Sequence, residues 1–196
     1  YFDGENGSYI DVAASDDFDI GSAGFTLECW LKTDTTSADT YYRRVFMLDG
    51  PSGNSNGNLQ LIISASTGGA QIWTNSGDLS VEGSTNIGDN YWHHVAIVRY
   101  SNQITLYVDG KADGNTTYSS QIGTHNSGEP RPRIGSYNGS SGDYKGMIHE
   151  LRLVVGTAVY TADFVPPTSA FTSVTNTKLM LQHVPFMKDN SSGSHA

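Results

Sequence analysis

Five glutamates, Glu5, Glu28, Glu82, Glu129 and Glu150, are scattered along a chain of 196 residues. Retaining glycosidases need two carboxyl groups about 5–5.5 Å apart, and inverting ones a wider pair. On one face of a strand that usually requires acids at i and i+2 or i+4. The five glutamates offer no such arrangement. The densest acidic cluster, Asp16-Asp17-Phe18-Asp19, follows Ser15 and reads as a solvated turn. Hydrolysis is not expected, and no catalytic residue is assigned.

The adjacent pair His93-His94 invites a metal, but neighbouring side chains on a strand point to opposite faces and cannot ligate one ion. No spacing of His and Cys suits zinc elsewhere. Cys29, the single cysteine, excludes a disulfide framework within the chain. Flanked by Glu28 and Trp30 in an alternating segment, it reads as a buried, inert thiol.

Sugar recognition asks for exposed aromatic faces beside amide and carboxylate groups. Tyr41, Tyr42, Trp73, Tyr118, Tyr137 with Asn138, and Asp143 with Tyr144 offer these in connecting segments. The same residue types also suit protein interfaces, which favour Tyr, Trp and Arg.

The composition narrows the partners. Twenty acidic against eleven basic residues give a net charge of −9, which argues against a protein that grips nucleic acid through phosphates. No apolar run approaches the ~20 residues of a membrane helix, so no membrane insertion is expected. Charged residues are only 16%, and their place is taken by 22 Gly, 23 Ser, 18 Thr and 13 Asn. The opening at Tyr1 shows no signal peptide, and the chain reads as a window cut from a longer polypeptide.

Period-2 alternation recurs throughout, and helical period is almost absent. Residues 25–32 put Phe25, Leu27, Cys29 and Leu31 on one face and Thr26, Glu28, Trp30 and Lys32 on the other. Strands are also expected at 45–48, 59–63, 71–74, 92–100, 104–108, 147–155 and 179–183. Asp109-Gly110 supplies the positive φ angles of a tight hairpin turn. From Asp113 to Gly146 the chain reads mostly as loop. Short strands with Gly-rich connections predict an all-β fold, an antiparallel two-sheet β-sandwich.

Five stretches, in order, resemble the laminin-G-like branch of the concanavalin A-like lectin/glucanase sandwiches. They are Phe2-Asp3-Gly4 with Ser8-Tyr9-Ile10-Asp11-Val12, the F-T-x-E-x-W-x-K strand at 25–32, Trp92-His93-His94-Val95-Ala96, Leu106-Tyr107-Val108-Asp109-Gly110-Lys111, and Ile148-His149-Glu150-Leu151-Arg152. The resemblance implies a concanavalin A-like jelly roll. It also implies a structural rim Ca²⁺, for which Asp3 and Glu150 are the motif positions, and packing roles for Trp30 and Trp92 in framework strands.

Residues 156–167 resemble the G-x-A-x-Y-T-A-x-F-x-P-P tail of laminin-G-like repeats in bacteriophage virion proteins. Thr177-Lys178-Leu179-Met180-Leu181 is similar to the leading strand that precedes such a domain. These likenesses imply a domain at 1–174, followed at 175–196 by a linker and the first strand of a following repeat in a tandem array. The function so implied is a non-catalytic structural or adhesion repeat of a phage fibre, tail or capsid-decorating protein. Its partners would be neighbouring repeats, other virion proteins or a host surface, and its location virion or extracellular. The alternative is a Ca²⁺-dependent module that binds cell-surface carbohydrate.

Overall fold

A computed structural model describes residues 1–5, 7–34, 42–49, 59–74, 78–123, 130–137, 142–183 and 187–189. Among these there are fourteen strands and no α-helix. The strands are β1 (Phe2–Asp3), β2 (Ile10–Asp11), β3 (Phe25–Asp34), β4 (Arg43–Asp49), β5 (Leu59–Ile63), β6 (Gly69–Thr74) and β7 (Ser80–Asn86). They continue as β8 (Asp89–Tyr100), β9 (Gln103–Val108), β10 (Lys111–Thr117), β11 (Arg131–Ile134), β12 (Lys145–Val155), β13 (Thr177–His183) and β14 (Met187–Asp189).

They form two antiparallel sheets. One runs β10-β9-β8-β3-β12-β13-β14, with β1 also paired to β12. The other runs β2-β11-β4-β5-β6-β7. This is the two-sheet sandwich that the alternating pattern predicts. The acidic cluster after Ser15 is a single 3₁₀ turn capped by the Ser15 side chain, which accepts from the Asp17 amide at 3.2 Å.

The core is built from the inward half of each alternation. Phe25, Leu27, Cys29 and Leu31 are fully buried and meet Leu59, Leu61 and Ile63 of the facing sheet in one cluster. Each such side chain contributes about 1.5–3 kcal/mol on burial. Cys29 is a free, buried thiol, and burial pushes its pKa up. The β9–β10 turn has both central residues at positive φ, Asp109 at 48° and Gly110 at 76°, as a right-twisted hairpin requires.

Two departures from the sequence reading matter. The stretch 113–146 is less of a loop than expected, since β10 extends to Thr117 and β11 lies within it. The strand β7 had no clear alternation of large apolar residues to announce it.

The described residues beyond 174 extend the eight-stranded sheet. β13 pairs with β12 of the same sheet, Leu151 facing Leu181 and Leu153 facing Leu179. Leu179 and Leu181 belong to the main core. The described residues from 175 onward therefore complete this sandwich rather than stand apart from it.

The outward half of β3 is also buried at its start, at Thr26 and Glu28. Residues 156–174 form a strap across the outer face of the eight-stranded sheet. Ala158, Tyr160 and Phe164 pack there on Ala96, Val98 and Tyr107 as a second apolar cluster. The Phe164 amide donates to the Gly110 carbonyl at 2.9 Å. A Cβ on Gly110 would overlap the Phe164 carbonyl oxygen, so this close crossing requires glycine.

Candidate functional site

The sequence-nominated sugar ligands divide cleanly. Tyr41 and Asn138 lie outside the described residues. Tyr42, Tyr137 and Asp143 are gathered at the six-stranded sheet around Arg44, a residue outside the expected set, and Trp73 lies on the same sheet opposite Gln60. The Arg44 guanidinium lies over the Tyr137 ring, 4.4 Å from the centroid. Nε donates to Gln60 Oε1 at 3.0 Å and Nη1 to the Tyr42 carbonyl at 3.3 Å. The Arg44 amide donates to the Gly142 carbonyl at 3.0 Å, beside Asp143.

Burial pulls the Arg44 pKa below its ordinary value, and Tyr137, Asp143 and Tyr42 act in the opposite direction without cancelling it. Trp73, half-buried, stands opposite Gln60 in the β5–β6 register.

This face holds more polar chemistry than a plain solvated sheet. Gln60 points away from the core yet is fully buried. Gln71 donates through Nε2 to Ser80 Oγ at 3.1 Å, while its buried Oε1 has no partner among the described residues. A second guanidinium, Arg133, grips Asp11 at 2.5 and 3.0 Å and lies over the Tyr9 ring at 4.8 Å. It also donates to the Tyr137 carbonyl at 3.3 Å, linking the two stacks.

Two nominated residues are elsewhere. Tyr144 is not on the surface: its ring is fully buried against Phe2, and its hydroxyl donates to the Lys32 and Met147 carbonyls at 3.1 and 3.2 Å. Tyr118 is 9% exposed and donates to Asp78 Oδ2 at 3.0 Å. Both rings are spent inside the fold, so neither offers a face to a ligand.

The calcium positions do not share a site. Asp3 is exposed and caps a turn by accepting from the Glu5 amide at 2.9 Å. It sits opposite Lys145 on β12, five residues and so roughly 16 Å from Glu150. Glu150 is buried, and its Oε2 accepts from the Phe171 amide at 2.8 Å and from Gln182 Nε2 at 3.3 Å. Ca²⁺ takes six to eight oxygens converging within about 2.6 Å. Among the described residues, no group of three or more His, Cys, Asp or Glu could hold a metal. The pair does not fit one shared Ca²⁺.

The eight-stranded sheet carries an open cleft of about 650 Å³, lined by Trp30, Trp92, His149, Glu150 and the strap residues 167–170. Trp30 faces His149 on one side and His94 on the other. Trp92 meets His149 edge-on, 6.2 Å between centroids. Trp92 is 43% exposed and Trp30 half-buried; each packs edge-on on a histidine and also lines the cleft. The outward set of β3 held the signal, because Trp30 alternates with Glu28 and Lys32.

Under the strap next to this cleft, His94, Arg152 and Tyr160 converge on Glu28. His94 Nε2 lies 3.1 Å and the Tyr160 hydroxyl 2.9 Å from Oε2. Arg152 donates to Oε1 through Nε at 2.9 Å and also through Nη2. Burial raises the Glu28 pKa, but the His94 bond and the Arg152 charge and bonds outweigh it and hold the carboxyl below its usual value. His93, on the other face, bridges Asp109 at 2.8 Å and Asp89 at 3.1 Å. The two histidines thus serve separate structural roles on opposite faces.

Among the described residues, no helix is long and apolar enough to cross a membrane. No curated protein matches the chain. Solved structures do. A candidate carbohydrate-binding protein of Bacteroides ovatus is similar with a TM-score of 0.63 and 16% identity, over 95% of this chain and 54% of that one. Domains LG4-5 of the mouse laminin α1 chain give 0.57 and 14%, over 86% and 46%. The CBM40 of Ruminococcus gnavus IT-sialidase bound to α2,3-sialyllactose gives 0.57 and 15%, over 71% and 79%.

At these identities the likeness is one of fold. The chain spans about half the length of the first two proteins. A laminin-G-type family model matches residues 3–158, the stretch that holds all five motifs apart from Phe2. The chain therefore belongs to the concanavalin A-like lectin/glucanases superfamily, in its laminin-G-like branch.

Proposed function

We propose that the chain is a non-catalytic binding domain that engages glycan on the outer face of its six-stranded sheet. The observation that supports this is the convergence of Tyr42, Tyr137 and Asp143 on Arg44, with Trp73 opposite Gln60, the residue that holds its guanidinium. A guanidinium fork held by Gln60 and stacked on Tyr137 is pre-organised, so little side-chain entropy is lost when it donates to ring hydroxyls. Trp73 supplies an apolar face. This reading uses no calcium and no reaction step. The virion setting that the tail resemblance implies would make this face a host-contact surface.

A glycan array with wild type, Tyr137→Ala and Trp73→Ala tests the proposal. Specific binding lost in both variants, with unchanged melting, supports it. Binding to no glycan overturns it in favour of the second reading, a structural repeat that contacts virion proteins. That reading is favoured by the Tyr, Trp and Arg content of the same face, which also suits a protein interface. Tandem copies in the parent sequence support the repeat.

A further inference from the structure

We infer that the cleft on the opposite, eight-stranded sheet is a second ligand site, built for the ammonium group of an amino sugar. It shares no residue with the Arg44 face and stands or falls separately. Its walls are the rings of Trp30, Trp92 and His149, carried by three adjacent strands. Its volume is about 650 Å³, within the ordinary range of ligand pockets.

Glu150 is the carboxylate among its described lining residues. Oε2 is committed to the Phe171 amide and Gln182. Oε1 has His149 Nε2 at 3.8 Å, too far for a hydrogen bond, and so keeps its acceptor capacity for a ligand.

The backbone has been bent to put that carboxylate there. Glu150 has φ 57°, at a break in register between His149 and Arg152. A non-glycine residue in that region is strained and persists where the surroundings enforce it. Aromatic walls with one carboxylate attract an organic cation, through the ring quadrupoles and the charge together. Lys32 is in register with Trp92 but does not line the cleft. The strap wall adds the hydroxyls of Thr168 and Ser169. A trimethylammonium head has no donor or acceptor for them, whereas a sugar ring has several, which favours the amino sugar.

Titration calorimetry of the whole chain at about pH 7, where such an amine is still largely protonated, provides the test. The probes are the β-1,4-linked glucosamine trimer and its fully N-acetylated counterpart, which differ in charge and acetyl groups. The expected result is binding of the glucosamine trimer at least about tenfold tighter than the acetylated one. Trp92→Ala and Glu150→Gln should each abolish that preference, and Tyr137→Ala should leave it intact. Trp92 is partly exposed, so its variant is informative even where Glu150→Gln disturbs the strap. Equal binding of the two trimers, binding of neither, or insensitivity to Trp92→Ala overturns the inference. Stronger competition by choline than by glucosamine overturns the amino-sugar assignment. Loss of glycan binding in Tyr137→Ala alone bears on the six-stranded face and not on this cleft.

Discussion

Tyr160 donates its hydroxyl proton to Oε2 of Glu28 across 2.9 Å, tying the strap to the middle of the eight-stranded sheet. The same ring stacks flat on Phe164 with 3.6 Å between centroids. The strap is thus fixed by an apolar contact and a charge-assisted bond made by one side chain.

Tyr160→Phe keeps the stack and removes the bond. A hydrogen bond to a buried charged group is worth about 1.5–3 kcal/mol, and urea unfolding should show a loss of that size with an unchanged slope. Because the folded Glu28 pKa is depressed, its contribution is present above the unfolded carboxylate value. It fades as pH falls through the lower folded value. The gap between wild type and Glu28→Gln should therefore close in acid, and a constant gap would refute the linkage.

His93 predicts the opposite pH direction. Burial lowers its pKa, but the bonds and charges of Asp109 and Asp89 outweigh this and raise it above 6.5. Its stabilisation is complete below the unfolded value and is lost as pH rises through the raised folded one. The difference in melting temperature between wild type and His93→Gln should shrink as pH climbs from about 6 to 8.

A chain ending at residue 174 distinguishes the two domain boundaries. Without β13, the core loses Leu179 and Leu181, together about 3–6 kcal/mol of burial. That is a large part of the 5–15 kcal/mol of a typical domain. The truncated chain should be unfolded, or melt far lower, by circular dichroism. Unchanged melting would support the boundary at 174.

Two tyrosines of similar sequence context should behave differently. Tyr144→Ala empties a fully buried ring site and should cost about 3–5 kcal/mol. Tyr137→Ala, in a half-buried ring against Arg44, should cost much less while affecting ligand binding. Comparing unfolding and array binding for the pair checks both statements.

Calcium offers a simple control. With Asp3 and Glu150 roughly 16 Å apart, chelation should leave the melting temperature unchanged. A fall reversed by added Ca²⁺ would reveal a calcium site other than one shared by Asp3 and Glu150.

Strand identity was legible wherever apolar alternation and turn chemistry agreed. Phe25 to Leu31 and the Asp109-Gly110 turn are local signals, and both are found in the structure. What escaped depends on distant partners. Tyr144 sits among Gly, Ser and Asp, like a loop residue, yet Phe2 and the Lys32 carbonyl, far away in sequence, enclose it.

Motif position places Trp30 and Trp92 on framework strands but does not say which face of a strand the partner sheet covers. Arg44 shows the same limit. Nothing near it in sequence indicates that Gln60 will hold it or that Tyr137 will lie beneath it.

The placement of β13 has a topological consequence. Both β13 and β1 run antiparallel to β12, β13 over Leu151–Val154 and β1 over Lys145–Gly146. Chain direction along β12 therefore passes from the end of β13 toward the start of β1. A circular permutant that joins these two by a short linker, with new ends opened at a surface turn, should trace the same sandwich. The slot beside β12 then needs a strand of the right sequence, but is indifferent to whether that strand precedes or follows the rest.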